Sequence, residues 1–229
     1  MKFVRLLKAG SWAFLSLLAL GAFTFTSVGS LVPKANSSVE LDEGFVSIFD
    51  GETFRGWEGD LDSFRIEDGA IVAGSLERKI PHNVFLCTEP EYGDFELRLR
   101  FRLLGDPRHA NAGVQIRSRR IPNDAEMIGY QADVGQHYWG CLYDESRRKK
   151  VLAGPDQEQL AKVLRLGDWN DYVIRCQGNH VQLWINGFQT VDYVETDDGI
   201  EQSGLIGLQI HSGPPSEAWY KDIRLSVYE

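Results

Sequence analysis

The sequence predicts an all-β fold in which two antiparallel sheets pack face to face, as in a sandwich or jelly roll. In Asp94–Leu104, Phe and Leu occupy every second position and Glu or Arg lies between them. This period of two is typical of a strand with one face on a core and the other in water. Only Gln157–Arg165 has a helical pattern, and it is too short to form a layer. The alternation recurs, less purely, in seven further segments: Ala112–Ser118, Tyr130–Gly135, Tyr172–Gln177, His180–Ile185, Phe188–Val194, Gly204–His211 and Ala218–Tyr228.

Turn signals lie between these segments. Asn186-Gly187 separates two of them and predicts a tight hairpin, because both central residues of a type I′ turn need a positive φ. Gly178-Asn179 predicts a second tight turn just before it. The 23 Gly, 12 Phe, 8 Tyr and 6 Trp are the mix expected of short strands joined by turns.

The composition limits the domain count and the partners. The chain has 229 residues and a formal net charge of -9, from 24 Lys and Arg against 33 Asp and Glu. Nucleic acid is not an expected partner, because phosphate binding needs a concentrated basic surface. Hydrophobic residues, at 43%, argue against disorder and against a multi-span membrane protein. No linker or repeat follows residue 40, so residues 39–229 are predicted to form one domain.

The first 38 residues read as a signal peptide or signal-anchor. Lys2, Arg5 and Lys8 precede an uncharged stretch that runs from Ser11 to Pro33. A basic n-region before an apolar region is typical of an export signal, and a cut after Gly29 fits the small-residue rule. We therefore expect an exported protein, located in the periplasm, in the cell envelope or outside the cell. Membrane attachment through an uncleaved segment is the alternative.

The cysteines give no metal site. Cys87, Cys141 and Cys176 form an odd set without CxxC or Cys/His ligand spacing, so no metal is predicted. The sequence does not choose a disulfide pair among them, and three small buried apolar residues are the simpler interpretation. No cofactor is assigned.

Polar residues share one face on three predicted strands. A solvated face ordinarily carries Lys, Glu and Thr, whereas here Gln, Arg, Asp and His alternate with core residues. We therefore predict a concave groove for a ligand rich in hydroxyl groups, a carbohydrate; a bare polar face is the alternative. Trp139, in a loop flanked by glycines, is the best candidate to stack on a sugar ring. Strand parity assigns six residues to this face: Gln115, Arg117, Gln131, Asp133, Gln209 and His211.

Several common catalytic motifs are absent from the sequence. It has no Gly-rich phosphate loop, no GxSxG turn and no HExxH helix. The ExDxxE strand of retaining β-glucanases is absent too. The sequence therefore shows no pair of carboxylates for a double-displacement mechanism.

Eight short motifs occur in a specific order: FVSIFDGETFRGW (Phe45–Trp57), FRIEDGAIVAG (Phe64–Gly74), YGDFELRLRFR (Tyr92–Arg102), NAGVQIRSR (Asn111–Arg119), GYQADVG (Gly129–Gly135), WNDYVIRCQGNHVQLWINGFQTVDY (Trp169–Tyr193), GLIGLQIHSG (Gly204–Gly213) and WYKDIRL (Trp219–Leu225). With them the chain resembles the 3-keto-disaccharide hydrolase family over nearly the whole predicted domain. The resemblance implies a concanavalin A-like lectin/glucanase jelly roll in exported bacterial proteins.

The resemblance also implies site residues. Asn111 corresponds to the first residue of the family's Asn-Ser-Gly-Ile motif, and Arg117 corresponds to the arginine that follows this motif. The family's Gly-Tyr-Glu-Val-Gln corresponds to 129–133, with Gln131 in place of Glu and Asp133 in place of Gln. The carboxylate of this sequence thus lies two residues after the family's carboxylate, on the same face of the same strand. Including strand parity, the predicted substrate-binding residues are Asn111, Gln115, Gln131, Trp139, Gln209 and Lys221.

A ketone at sugar carbon 3 acidifies the hydrogen on carbon 2, so the implied reaction is proton abstraction, elimination of the group on carbon 1, and hydration. Such a route needs a base, a partner for the enolate and a proton donor. The sequence predicts Asp133 as the base, Arg117 as the enolate partner, and His211 or Tyr130 as the donor. Two other interpretations stay open: a non-catalytic carbohydrate-binding module of the cell envelope, and an envelope-associated structural protein.

Overall fold

The computed structural model describes residues 44–228, which contain many short strands and little helix. The single helix in this range, α1, covers Gln157–Leu160. The strands are β1 (Val46–Ser47), β2 (Trp57–Gly59), β3 (Phe64–Glu67), β4 (Ala70–Ser75), β5 (Val84–Thr88), β6 (Phe95–Gly105), β7 (Asn111–Arg120), β8 (Met127–Gly135), β9 (Leu142–Glu145), β10 (Lys150–Ala153), β11 (Asn170–Gln177), β12 (His180–Ile185), β13 (Phe188–Val194), β14 (Leu205–Ile210) and β15 (Ser216–Val227).

The strands form two antiparallel sheets, which confirms the predicted jelly-roll sandwich. Sheet A has the order β13-β12-β11-β6-β15-β4-β3, with β1 beside β15. Sheet B has the order β10-β9-β8-β7-β14-β5-β2. Some neighbours in each sheet are far apart in sequence, as in β6–β15 and β7–β14, and the chain crosses repeatedly between the layers.

The core lies between the sheets and follows the predicted alternation. On β6, Phe95, Leu97, Leu99 and Phe101 point inward and are buried. Sheet B contributes alternate residues in the same way, including Val114 on β7. Each such side chain contributes about 1.5–3 kcal/mol by leaving water, so the register of every strand is strongly fixed. The fixed register also determines which side chains lie on the outer face of each sheet.

The predicted turn and helix are present, the helix in shortened form. Asn186 and Gly187 have φ of 49° and 80°, and they join β12 to β13 as the predicted hairpin. The helix ends at Leu160 although its pattern extends to Arg165. Asp156 caps it by accepting hydrogen bonds from the backbone N–H groups of residues 158 and 159.

Cys87, Cys141 and Cys176 are buried and unpaired. No helix among residues 44–228 is long and apolar enough to cross a membrane. The predicted signal segment, residues 1–38, lies outside the described residues, so its boundary stays a prediction.

Candidate functional site

A cavity of about 170 Å³ lies on the outer face of sheet B, the face turned away from the core. It is smaller than the typical ligand site of about 300–1,000 Å³, and we expect it to hold a single ring-sized group rather than a chain. Strands β7, β8, β9 and the end of β14 supply most of its wall. The lining residues are Asn83, Asn111, Gln131, Asp133, Gln136, Tyr138, Tyr143, Glu145 and His211.

Four of the sequence-predicted residues meet in this cavity: Asn111, Gln131, Asp133 and His211. Their strands are adjacent, since β7 lies between β8 and β14. The backbone N–H of His211 donates to the Asn111 carbonyl over 3.1 Å, which fixes the end of β14 against β7.

Asp133 has the most perturbed electrostatics in the cavity. Its side chain is almost wholly buried, and no ion pair to a Lys, Arg or His is found for it among the described residues. Burial raises its pKa to about 8, and the negative charge of Glu145 adds to the increase. Hydrogen bonds from the amides of Asn111 and Gln131 oppose the shift, the Asn111 Nδ2 lying 2.8 Å from Oδ1. Asp133 is therefore a carboxyl group poised near neutral pH.

A chain of side-chain amides extends from the cavity across the sheet. Gln115 Nε2 donates to Gln131 Oε1 over 2.6 Å, and Gln131 Nε2 donates to Gln209 Oε1 over 3.2 Å. Ser118 Oγ donates to Gln115 Oε1 at the far end. Gln209 Nε2 is buried and has no hydrogen-bond partner within residues 44–228. Gln115 and Gln209 thus lie beside the cavity rather than in its wall, and they orient Gln131.

Gly113 makes room for this chain. A Cβ at position 113 would lie 2.8 Å from the Cγ of Gln131, whose side chain crosses over the glycine to reach Gln209. Beneath the same strands, the hydroxyl of Tyr220 from sheet A donates to the carbonyls of Gln209 and Gly113 over 2.7 and 3.1 Å. The strands beneath the cavity are therefore fixed by the amide chain on the outer face of sheet B and by Tyr220 on its core face.

Tyr143 and Glu145, both on β9, line the cavity and were not predicted from the sequence. Burial raises the pKa of the Glu145 carboxyl, and repulsion from Glu126 adds to it. Strand β9 pairs with β8, and Tyr143 stands opposite Gln131. The sequence carries no alternation that would have indicated them, because the inward position 144 is a charged Asp; the pairing of β9 with β8 places Tyr143 and Glu145 on the face of Gln131.

The loops at the end of the cavity are fixed by hydrogen bonds. Asn83 Nδ2 donates to Glu126 Oε1 over 2.9 Å, and Asn83 Oδ1 accepts from the Ser212 N–H over 2.8 Å. His211 Nδ1 lies 2.7 Å from the Ser212 carbonyl. Because a carbonyl only accepts, Nδ1 carries the proton and Nε2 is the ring nitrogen left for a ligand.

The structure corrects the placement of Arg117. It lies at a β-bulge in β7 with φ of 47°, so the strand parity used in the prediction is lost there. The buried guanidinium donates to the carbonyls of Gly93 and Gly178 over 2.8 and 2.6 Å and to Asp94 over 2.7 Å. These partners flank strands of sheet A. Arg117 therefore ties the two sheets together and does not line the cavity.

Tyr130 also lies away from the cavity. Its position on β8 is one residue from Gln131, so its side chain points to the opposite face of the sheet. The hydroxyl donates to Glu195 Oε2 over 2.6 Å, and Glu195 pairs with Arg148 over the same distance. Arg148 and the neighbouring hydrogen bonds outweigh burial and lower the pKa of Glu195 to about 2. Tyr130 is thus part of a buried ionic network between sheet edges.

Trp139 and Lys221 are not in the cavity either. Trp139 packs against the core, with its ring centroid 6.3 Å from that of Phe101. Lys221 is on β15 of sheet A, where its Nζ lies 4.2 Å from the ring centroid of Trp169. The predicted stacking tryptophan is therefore a packing residue, and Lys221 belongs to the opposite surface of the protein.

The cavity combines carboxyl groups of raised pKa with neutral donors. Asp133 and Glu145 are available to accept or return protons, while the second N–H of Asn111 and the Tyr143 hydroxyl are available to donate hydrogen bonds. Among residues 44–228, no three His, Cys, Asp or Glu side chains are arranged to hold a metal ion. The arrangement is suited to moving a proton on a small polar ligand.

The jelly roll and this cavity define a β-sandwich protein with a candidate site for a small polar ligand. More particularly, the family model of the 3-keto-alpha-glucoside-1,2-lyase-like domain matches residues 44–226, and the chain belongs to that family. This is the 3-keto-disaccharide hydrolase family that the sequence resembles. The membership indicates activity on, or binding of, a glycoside. Among curated proteins, none matches the chain.

Solved structures share the fold. A Parabacteroides distasonis protein provisionally described as a glycosyl hydrolase has 18% identity and a TM-score of 0.63, covering 82% of this chain and 95% of its own. The carbohydrate binding module CBM66 from Bacillus subtilis has 15% identity and a TM-score of 0.56, covering 74% and 94%. A Bacillus subtilis protein of unknown function with a galectin-like fold has 12% identity and a TM-score of 0.57, covering 77% and 92%. At these identities the likeness concerns the fold alone.

Proposed function

We propose that this protein cleaves glycosides whose sugar carries a ketone at carbon 3, with Asp133 as the base. The observation that carries the proposal is the Asp133 carboxyl itself. It is buried in a ring-sized cavity, its pKa is raised to about 8, and only neutral amides hydrogen-bond to it. A base with such a pKa is strong enough to remove a proton next to a ketone and is still partly ionised at neutral pH.

The reaction balances without an oxidant or a metal. The carboxylate takes the hydrogen on carbon 2 as a proton, and the electrons of that C–H bond form an enolate with the oxygen on carbon 3. The enolate collapses to the ketone, a double bond forms between carbons 1 and 2, and the bond from carbon 1 to the leaving oxygen breaks. Water then adds its oxygen to carbon 1 and a proton returns to carbon 2. The net products are a 3-keto sugar and an alcohol.

Because Arg117 does not line the cavity, neutral hydrogen-bond donors take its predicted role as the partner of the enolate. The amide of Asn111 has a second N–H beyond the one that binds Asp133, and the Tyr143 hydroxyl lines the same cavity. Preorganised donors of this kind stabilise a developing oxyanion in a site that excludes water. His211, when protonated, or the hydroxyl of Tyr143 donates a proton to the leaving oxygen.

Product analysis tests the proposal. The purified protein is incubated with 3-keto-glucosides and with their unoxidised parents, and the released sugar and alcohol are quantified. We expect release from the keto compounds only, because without the ketone the hydrogen on carbon 2 is not acidic. If neither compound is cleaved and both are bound, the carbohydrate-binding interpretation replaces the enzymatic one.

The pH dependence follows from the sign of the Asp133 shift. A general base acts in its ionised form, so kcat/KM should fall as the pH drops below the raised pKa of about 8. Initial rates between pH 5 and pH 10 measure the profile. Glu145→Gln removes a neighbouring negative charge and should move the midpoint to lower pH. A wild-type profile that is flat from pH 5 to pH 9 would exclude Asp133 as the base.

Export is proposed from the sequence alone. The basic start and apolar stretch of residues 1–38 predict a mature N-terminus near residue 30. N-terminal sequencing of the protein from periplasmic or surface material measures it. Recovery of intact Met1 from that material would favour the membrane-anchored alternative.

A further inference from the structure

The outer face of sheet A carries a cluster of cations and indoles, far in the fold from the cavity on sheet B. We call it the Trp169 patch; it comprises Arg100, Arg102, Trp169, Trp219 and Lys221. Strands β6 and β15 supply four of these residues, and Trp169 immediately precedes β11. All four are on the solvent side of sheet A, since the alternate residues of β6 and β15 are in the core.

The cations are stacked on the indoles. The Arg102 guanidinium carbon lies 4.3 Å from the ring centroid of Trp219 and 5.1 Å from that of Trp169. Lys221 Nζ lies 4.2 Å from the Trp169 centroid, and the Arg100 guanidinium carbon lies 5.8 Å from it. Such contacts hold long side chains in place, so less conformational entropy is lost when they bind a ligand.

The charges of the patch are poorly compensated within the chain. Arg100 stands directly opposite Lys221 in the β6–β15 ladder, and like charges in that position are destabilising. Arg100 has two carboxylates nearby, Asp171 at 3.5 Å and Asp222 at 3.8 Å, both largely exposed. Within residues 44–228, Arg102 and Lys221 have no carboxylate in ion-pair range. Other cations of this face are paired, for example Arg65 with Glu217 at 2.9 Å.

From this geometry we propose that the Trp169 patch binds a uronic acid residue of an acidic polysaccharide. The partly exposed indole of Trp169 offers apolar surface beside the stacked cations for a sugar ring, and Arg102 and Lys221 offer two cations for the sugar carboxylate. A nucleic acid fits less well, because binding a phosphate backbone needs a concentrated basic surface and the patch offers only a few cations. The patch would hold a polymer while the sheet B cavity remains free.

Binding of polygalacturonate tests the inference, with fully methyl-esterified polygalacturonate as the uncharged probe. The full-length protein should bind the acid form at least about tenfold more tightly than the ester, because the ester offers no carboxylate to Arg102 and Lys221. Affinity should fall with added salt. Binding of the ester equal to that of the acid, or no binding of either, would overturn the inference.

Lys221→Gln is the first variant, because its side chain is partly exposed and the change leaves the fold intact. Lys150→Gln, an exposed lysine on β10 of sheet B, is the control for loss of one positive charge. We expect weaker binding for Lys221→Gln and for Arg102→Gln, and wild-type binding for Lys150→Gln. Equal affinities for Lys221→Gln and wild type, or equally tight binding of single-stranded DNA, would contradict the proposal. Turnover of keto-glycosides should stay unchanged in Lys221→Gln, so the result is independent of the proposed function.

Discussion

Asp133→Asn should lower kcat on a 3-keto-glycoside by about 10²-fold or more and leave KM nearly unchanged. The asparagine keeps the size of the side chain and its contact with Asn111 but cannot take up a proton. Steady-state kinetics of the two proteins measure the effect. Full activity in the variant would show that another group is the base, and Glu145→Gln then identifies whether it is the carboxyl on β9.

Gln131→Glu in the Asp133→Asn background is a sharper control. It places a carboxylate two residues away on the same face of β8, where the family has its usual acid. Partial recovery of kcat would show that the missing group is a base in this cavity. The single variant Gln131→Glu loses the donor to Gln209 and controls for damage to the amide chain.

Asp133→Asn should also raise the stability of the fold at alkaline pH. The folded pKa of Asp133, about 8, lies above the ordinary value of 3.8, so stability is highest below the ordinary pKa and is lost as the pH rises towards 8. Asp133→Asn removes this loss. Its Tm should exceed that of the wild type by several degrees at pH 8.5 and approach it at pH 4. A lower Tm at pH 8.5 would mean that the buried carboxylate stabilises the fold.

Arg117→Gln should have the largest effect on stability, lowering the free energy of unfolding by about 3 kcal/mol. It removes three hydrogen bonds that join β7 to residues 93, 94 and 178 of sheet A, and removing one partner of such a buried ion pair typically costs about 3–5 kcal/mol. For a chain of this size, the Tm should fall by about 6–12 °C. Urea or thermal unfolding measures it.

Arg119→Gln is the matched control, because Arg119 is an exposed arginine of the same strand that pairs with Glu201. Exposed pairs contribute little, so its Tm should change by about 2 °C or less. Below the transition, folded Arg117→Gln should retain kcat within about threefold of wild type. A loss of kcat comparable to that of Asp133→Asn in a well-folded variant would restore Arg117 to the catalytic machinery.

Strand parity predicted that Gln131 and Asp133 lie on the outer face of their sheet, and the structure has them there. Gln131 and Asp133 alternate with buried residues on β8, and nothing in that strand interrupts the period of two. Parity fails at Arg117 because the bulge with a positive φ has no glycine to announce it in the sequence. Tyr130 was assigned from the resemblance although parity points it inward, and the structure agrees with parity.

The other differences have physical reasons as well. The placement of Trp139 depends on how the loop before β9 folds back on the core, which no local pattern encodes. Lys221 and Asp133 are on different sheets, and the sheet to which a strand belongs is set by long-range pairing. Parity did not indicate Glu145 and Tyr143, because β9 is only four residues long and has a charged residue, Asp144, at one of its two inward positions.

The most direct test of proton abstraction is cleavage of a 3-keto-glucoside in D₂O, with the deuterium content at carbon 2 of the released sugar measured by mass spectrometry and NMR. Elimination and hydration take the hydrogen of carbon 2 from solvent, so we predict deuterium at that position at the earliest times. Incubating the product sugar alone in the same buffer controls for spontaneous exchange. Cleavage that leaves the original hydrogen on carbon 2 would contradict the role of Asp133 as the base.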